Sequence, residues 1–373
     1  MKKNLILASG LLAGTIIGAG IFSLPYIFKQ LGIVPGLFYL LVFAASYIFI
    51  YIMYSQLLME IKDNNDFLFL IKKYFTPFFS KIISFSSFCG LLFALLAYLV
   101  LSPSFFDFGF NLTGSITLFI FWALSSSFFF LKLKWLGFAE FAGAFSIFAI
   151  VVALFVYGFF FNGSFDFELF PLFPPGEGMD WKLFVLPFGP VLFSFAGRSA
   201  VTNVVRKWRE KKNFSIKKSV GFGVSAPLII YLLFIFAILS ISPQISEDTM
   251  SLLHFLPVSL KILLGFLGLL TLVTSYGMLG GNIKDILIFD LKTGKYIGFV
   301  VPLLFPPLLF LLGIKSFISI LGIAGGIFVA LETISIIVMW RKAFPEHKLR
   351  PLTIPLFAIF STGLFYEIIS IIF

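Results

Sequence analysis

The sequence predicts an all-α polytopic membrane protein of about eleven spanning helices with its N-terminus inside, and three observations predict it. Of 373 residues, 60% are apolar and only 12% charged, with a mean hydropathy of +1.07. A soluble domain carries roughly 25% charged residues to face water. Eleven stretches reach the length of about 20 mostly apolar residues that a hydrocarbon core demands. Once the chain is threaded through them, Lys and Arg fall overwhelmingly on one side, as they do in cytoplasmic loops.

Taken in order, the stretches lie near residues 5–30, 35–59, 82–101, 113–131, 135–161, 182–204, 216–241, 256–280, 297–313, 316–340 and 351–373. Pro, Gly, Asn and charge mark the breaks between them. The opening Met1-Lys2-Lys3-Asn4 imitates a secretory signal, yet the apolar run behind it continues to Phe28, too long for an h-region. The longest connections, near 60–81 and 162–181, hold no soluble domain. With the N-terminus inside, 22 of the 27 basic residues line the inner loops, among them Lys62, Lys132, Arg209, Lys211 and Lys212. Only Lys29, Lys182, Lys261 and Lys315 lie at outer ends, and Arg198 falls within the sixth span. One miscounted helix would scramble that split. The outer loop 162–181 carries Asp166, Glu168, Glu177 and Asp180 and no basic residue, and an odd number of crossings places Phe373 outside. The net charge of +10 thus serves topology and contact with anionic headgroups; nucleic acid is not needed to explain it. Cys89 is alone and forms no internal disulfide.

Two spans read as broken in the middle. The first runs Ala13-Gly14-Thr15-Ile16-Ile17-Gly18-Ala19-Gly20-Ile21-Phe22-Ser23-Leu24-Pro25-Tyr26. Three Gly and a Pro are a poor helix core, because Gly costs about 1 kcal/mol and Pro about 3 relative to Ala. One reading is close helix packing through Gly10-x-x-x-Gly14 and Gly14-x-x-x-Gly18. The other is an unwound centre at Gly18–Gly20, a second half-helix from about Ile21, and Pro25 in its first turn, where a missing N–H matters little. The sixth span reads Pro187-Phe188-Gly189-Pro190-Val191-Leu192-Phe193-Ser194-Phe195-Ala196-Gly197-Arg198-Ser199, again interrupted.

Ala19 and Ala196 lie 177 residues apart, and so do the starts of the two spans. Five helices separate those starts, so a second copy of the unit enters the membrane upside down. The units are residues 1–161 and 162–350, with 351–373 an eleventh helix outside the repeat. Interrupted helices at matching places in two inverted halves point to a transporter site at the bilayer midplane. Unwound backbone there exposes polar groups in a medium without water. In the first span the outer half-helix presents N–H groups and a positive dipole end, which suit a carboxylate. In the sixth the outer half ends at the break and offers carbonyls, which suit an ammonium. Together they describe an amino acid.

At these residues the chain resembles the amino acid/auxin permease family, near the bacterial hydroxy and aromatic amino acid permeases, within the superfamily that has the LeuT-type fold. The matching pieces are Gly14 through Tyr26, Phe193-Ser194-Phe195-Ala196-Gly197, Thr274-Ser275-Tyr276 with the later Asp290-Leu291-Lys292, and Leu321-Gly322-Ile323-Ala324-Gly325-Gly326. The first is fairly specific and the others are weak alone. The resemblance implies a five-plus-five inverted repeat and cation-coupled uptake, with sodium or a proton as coupling ion and no other cofactor. It implies a substrate site on the first and sixth helices, here Thr15, Gly18, Ala19, Gly20, Phe193, Ser194, Phe195, Ala196, Gly197 and Arg198. It also implies a sodium site of Gly14 and Ile17 with the eighth-helix face Thr271, Thr274 and Ser275. Residues three and four apart do share a helix face, although such hydroxyls also bond back to their own chain. Members of this family commonly carry His where Arg198 stands.

Glu332 and Glu367 lie at membrane depth and Glu140 near an inner helix end. Intramembrane carboxylates are functional by default, and Glu332 is the candidate proton carrier. Arg198 remains charged at any physiological pH. It either pairs permanently with Glu332 or helix-end carbonyls, or faces the cavity as a substrate ligand. His254 and His347 fall in loops on opposite sides, which leaves little for an integral-membrane enzyme, and no span has the full-length polar stripe of a channel. A transporter-derived amino acid sensor is the remaining alternative to a transporter in the cell membrane.

Overall fold

The structure, a computed structural model, describes residues 2–61, 67–110, 115–130, 133–160, 171–174, 181–208, 214–242, 244–250 and 255–372. Lys62, Lys132, Arg209, Lys211, Lys212, the acidic loop residues Asp166, Glu168, Glu177 and Asp180, His254 and Phe373 lie outside them, as does the side chain of Glu140. All regular structure among the described residues is helical. Lipid requires this, because a segment without water must satisfy its own N–H and C=O groups.

The first span is α1 (Lys2–Ile16), a 3-10 turn (Ala19–Ser23) and α2 (Leu24–Leu31), followed by α3 (Ile33–Met59), α4 (Phe67–Tyr74), α5 (Pro77–Phe110), α6 (Ser115–Ser127) and α7 (Leu133–Phe160). The sixth span divides into α8 (Trp181–Val185), α9 (Phe188–Ser194) and α10 (Arg198–Trp208). Then come α11 (Ile216–Ile241), α12 (Val258–Asp285), α13 (Lys295–Leu311), α14 (Phe317–Leu321), a π-helical turn (Gly322–Val329), α15 (Ala330–Ala343) and α16 (Thr353–Ile372). Among the described residues seven helices are long and apolar enough to cross a membrane, and the first span is a further pair bent by 52°. Ile116–Ser127, Phe145–Phe160 and Lys295–Leu311 are apolar but shorter.

The distribution of aromatic residues is that of a lipid-facing bundle. The largest fully buried side chains are headed by Trp208, Trp340, Tyr47, Tyr51, Tyr54, Tyr231 and Tyr276, whereas Phe38, Phe85, Phe119, Phe145, Phe222 and Phe266 are exposed. Lipid tails give Phe no reason to hide, while a hydroxyl at membrane depth must find a partner. At the centre of the bundle α1 packs on α11, α9 packs on the π turn, α10 on α3, and α12 on α5 and α7. α16 lies at the edge, against α15 and the π turn.

One element was not foreseen. The stretch after α3, read as a loop, contains α4, which packs on α5 and α15. Its apolar residues Phe67, Leu70 and Ile71 are buried, and Lys72 and Lys73 end it, where cations meet the negative end of the helix dipole.

Candidate functional site

Both interruptions fall where the Gly and Pro pattern puts them. α1 stops at Ile16, Gly18 is extended at φ −141°, ψ −157°, and Pro25 occupies the first turn of α2. In the sixth span Phe195, Ala196 and Gly197 separate α9 from α10. The breaks touch each other. A Cβ on Gly20 would lie 2.8 Å from Ser194 Cα, and one on Gly197 would lie 2.5 Å from Ile16 Cγ1. Residue 20 thus meets 194 while 16 meets 197, an antiparallel crossing that only glycine allows at those two points. Close packing by the earlier small-residue pattern does not occur at Gly10, which has open space around it.

The loosened backbone is held by tyrosines. From α3, the Tyr47 hydroxyl donates to Leu192 O at 2.8 Å, and the Tyr51 hydroxyl donates to Phe195 O at 2.6 Å. Tyr51 also accepts from Gly197 N at 2.5 Å. The hydroxyls of Tyr54 and Thr202 lie 2.9 Å apart, and Tyr39 donates to Phe184 O. Residues 39, 47, 51 and 54 thus follow the sixth span from end to end. Tyr231 on α11 bridges both breaks, its one hydroxyl proton shared between Ile16 O at 3.0 Å and Ser194 O at 2.6 Å. Tyr98 on α5 accepts from Ala19 N at 3.4 Å. The carbonyls expected to hold an ammonium, Leu192, Ser194 and Phe195, therefore already accept from tyrosines, with one lone pair each to spare.

A cavity of about 1480 Å³ opens beneath the crossing. Of the expected substrate residues, Thr15, Gly18, Gly20, Phe193, Ala196, Gly197 and Arg198 line it, while Ala19, Ser194 and Phe195 do not. Tyr98, Phe67, Ser87, Phe328 and Glu332 complete its inner wall, and Lys72, Lys81, Arg206, Lys207 and Asp285 mark its mouth. The way is shut on the other side of the breaks. The rings of Phe105 and Phe234 meet Phe22 edge-on at 5.3 and 5.7 Å. Over them the buried Thr249, at φ 66°, donates to Phe22 O. Its neighbour Asp248 accepts from Ser104 and Ser246, and Glu247 accepts from Ser316 at the start of α14.

Arg198 is the first residue of α10, the positive end of a helix and a poor place for a cation. Three neighbours compensate. Nε lies 2.7 Å from Glu332 Oε1, off the line of the N–H bond, and the guanidinium sits 4.0 Å above the Phe67 ring. The Tyr54 hydroxyl adjoins it, and Ser87 Oγ donates to Glu332 Oε2 at 3.3 Å. Of the two readings of Arg198, the geometry shows the ion pair, placed on the cavity wall.

The five candidate sodium ligands separate. Gly14, Ile17 and Ser275 line the cavity. Thr271 and Thr274 are buried; Thr271 shares its one hydroxyl proton between Gly143 O and Leu267 O, and Thr274 donates to Thr271 O. Sequence reading missed Tyr39, Tyr47, Tyr51, Tyr54, Tyr98, Tyr231 and Phe67. The signal was present in α3, where hydroxyls at 47, 51 and 54 repeat at helical spacing along an otherwise apolar span.

Residues 1–246 match the family described as transmembrane amino acid transporter protein. No curated protein sequence matches the chain significantly. Solved structures share its architecture at low identity. MhsT in complex with L-phenylalanine aligns with TM-score 0.66 at 12% identity, over 99% of this chain and 98% of that one. Mhp1, a nucleobase-cation-symport-1 family transporter with bromovinylhydantoin bound, aligns with TM-score 0.63 at 14%, over 98% and 90%. The Eremococcus coleocola manganese transporter aligns with TM-score 0.67 at 12%, over 99% and 87%. These likenesses show the LeuT-type fold, and its neighbours are transporters, not enzymes. With two broken helices crossing over a cavity and a family match over about two thirds of its length, the chain belongs to the transmembrane amino acid transporter family.

Proposed function

We propose that the protein imports an amino acid across the cell membrane by alternating access, in symport with sodium or a proton. The observation that carries this reading is the crossing of the two breaks over a cavity that is open to one face and shut to the other. In this reading eleven helices cross, residues 1–161 and 162–350 are the inverted halves, 351–373 is the added helix, and the N-terminus is cytoplasmic. The mouth of the cavity, rich in Lys and Arg, then faces the cytoplasm.

The substrate carboxylate is assigned to the backbone N–H groups of Gly18 to Gly20, at the positive end of the outer half-helix. Its ammonium is assigned to backbone carbonyls at the second break, where Phe193 and Ala196 line the cavity. The Arg198–Glu332 pair stands beside this place and offers charge of either sign. Among the described residues no three His, Cys, Asp or Glu side chains converge, so the donors favour a zwitterion over a bare divalent metal. Sodium coupling is assigned to Gly14, Ile17, Thr271, Thr274 and Ser275, which need α12 to draw in against α1.

The test is uptake of each of the twenty amino acids by purified protein in liposomes, under a sodium gradient, a pH gradient or neither. Accumulation of at least one amino acid under either gradient is expected. Saturable binding without flux under both would leave the sensor reading in its place.

A further inference from the structure

Glu367 on α16 is a carboxylate that the proposed transport cycle does not use. It is 9% exposed, and among the described residues no Lys, Arg or His pairs with it. Its side chain lies on glycine. A Cβ on Gly322 would sit 3.1 Å from Glu367 Oε1, and one on Gly326 would sit 3.0 Å from its carboxyl carbon. Both glycines belong to the π turn Gly322–Val329, a form whose i→i+5 bonding is rare and frequent at functional sites. The far side of that turn touches α9: a Cβ on Gly325 would be 2.9 Å from Phe193 N, and one on Gly189 2.6 Å from Gly322 O. A single layer of backbone therefore separates this carboxyl from the half-helix that ends at the second break.

We infer that Glu367 is a proton-binding site that couples its charge to the position of α9 through the π turn. This rests on the transport reading. An ionised carboxylate without a counter-cation is costly at this depth, so its charge state and its fit against the glycines are linked. With a proton bound, its O–H donates to a backbone carbonyl and the layers close. Without it, the carboxylate keeps only the long contact from the Ser370 hydroxyl, 3.5 Å from Oε2, and needs water or N–H donors besides, for which the turn must withdraw. Gly189 and Phe193 move with the turn. One proton is bound and later released, and no other bond changes.

The surroundings leave this role to Glu367. α9, α14 and the π turn contain no titratable residue. α15 carries Glu332, already held by Arg198, and Arg341 and Lys342 in its last turn. From α3, Tyr39 and Tyr47 donate to carbonyls of the sixth span. Tyr366 lies beside Glu367 on its own helix, and Arg350 stands before α16.

The experiment compares wild type and Glu367→Gln in liposomes, with a radiolabelled mixture of the twenty amino acids as probe. Exchange across the membrane at equal pH is measured beside accumulation under a pH gradient. Exchange needs no release of the coupling proton, so the variant is expected to keep exchange and lose accumulation. Equal accumulation by both proteins overturns the inference. So does joint loss of exchange and accumulation in a folded variant, and so does a wild type that exchanges but ignores the pH gradient. Absence of any exchange in wild type sinks the transport reading instead. Hydrogen exchange of α9 and Gly322–Val329 then decides the inference separately, and it also decides if the variant does not fold. After correction for intrinsic rates, their protection in wild type must change between acidic and neutral pH. Constant protection overturns the inference.

Discussion

The Tyr51 hydroxyl spans the second break with one oxygen, accepting from Gly197 N while donating to Phe195 O. Tyr51→Phe leaves a buried N–H and a buried C=O without that partner, each worth about 1–3 kcal/mol. A loss of roughly 2–6 kcal/mol is expected, read as a lower unfolding temperature in detergent. Tyr47→Phe frees only Leu192 O and should fall by about half as much. Equal stabilities of both variants and wild type would refute the holding role of the hydroxyls.

The crossing of the breaks ranks two small substitutions. Gly20→Ala drives a methyl against the Cα of Ser194, which is backbone, while Gly18→Ala meets only the tip of Tyr98. Uptake is expected to be lost in Gly20→Ala and reduced but measurable in Gly18→Ala, with both proteins at wild-type levels in the membrane. The reverse order would show that the two breaks do not cross as described.

The pair of Arg198 with Glu332 is tested by a double-mutant cycle. Both side chains keep some exposure, 20% and 17%, so Arg198→Gln should cost about 1–3 kcal/mol, less than the 3–5 of a fully buried pair. Adding Glu332→Gln should restore much of that stability, because no unpaired charge then remains. Substrate affinity is measured in the same proteins. Full stability with weakened affinity in Arg198→Gln would instead make the arginine a substrate ligand.

Sodium coupling separates the hydroxyls of α12. If sodium supports uptake, Thr274→Val and Ser275→Ala should each weaken the dependence of substrate affinity on sodium. Affinity without sodium should be little changed. Thermal-shift titrations of substrate with and without sodium measure this, and an unaltered sodium response in both variants would remove α12 from the site.

Much of this was legible in residue order. Gly18, Gly20, Pro25 and Gly197 announce breaks because backbone propensity is a local property, and the structure bends the first span by 52° and interrupts the sixth at Phe195–Gly197. Spanning stretches are legible for a similar reason, since each must satisfy its own backbone in lipid. The tyrosines of α3 were visible only as polar marks on an apolar helix, because their acceptors lie near 145 residues away. α4 escaped because eight residues are too few for a clear apolar period.

By itself, then, the sequence determined a helical membrane chain with two interrupted spans. Length, hydropathy and glycine content act within one segment, so residue order suffices to read them. Only the tertiary structure decided that Arg198 rests on Glu332 and Phe67, and that Thr271 turns to α7 while Ser275 turns to the cavity. It alone placed Glu367 against the back of the π turn. Those outcomes depend on helix rotation and on which faces meet. In lipid, small residues and hydrogen-bonding partners from distant parts of the chain set both, because hydrophobicity no longer tells the inside from the outside.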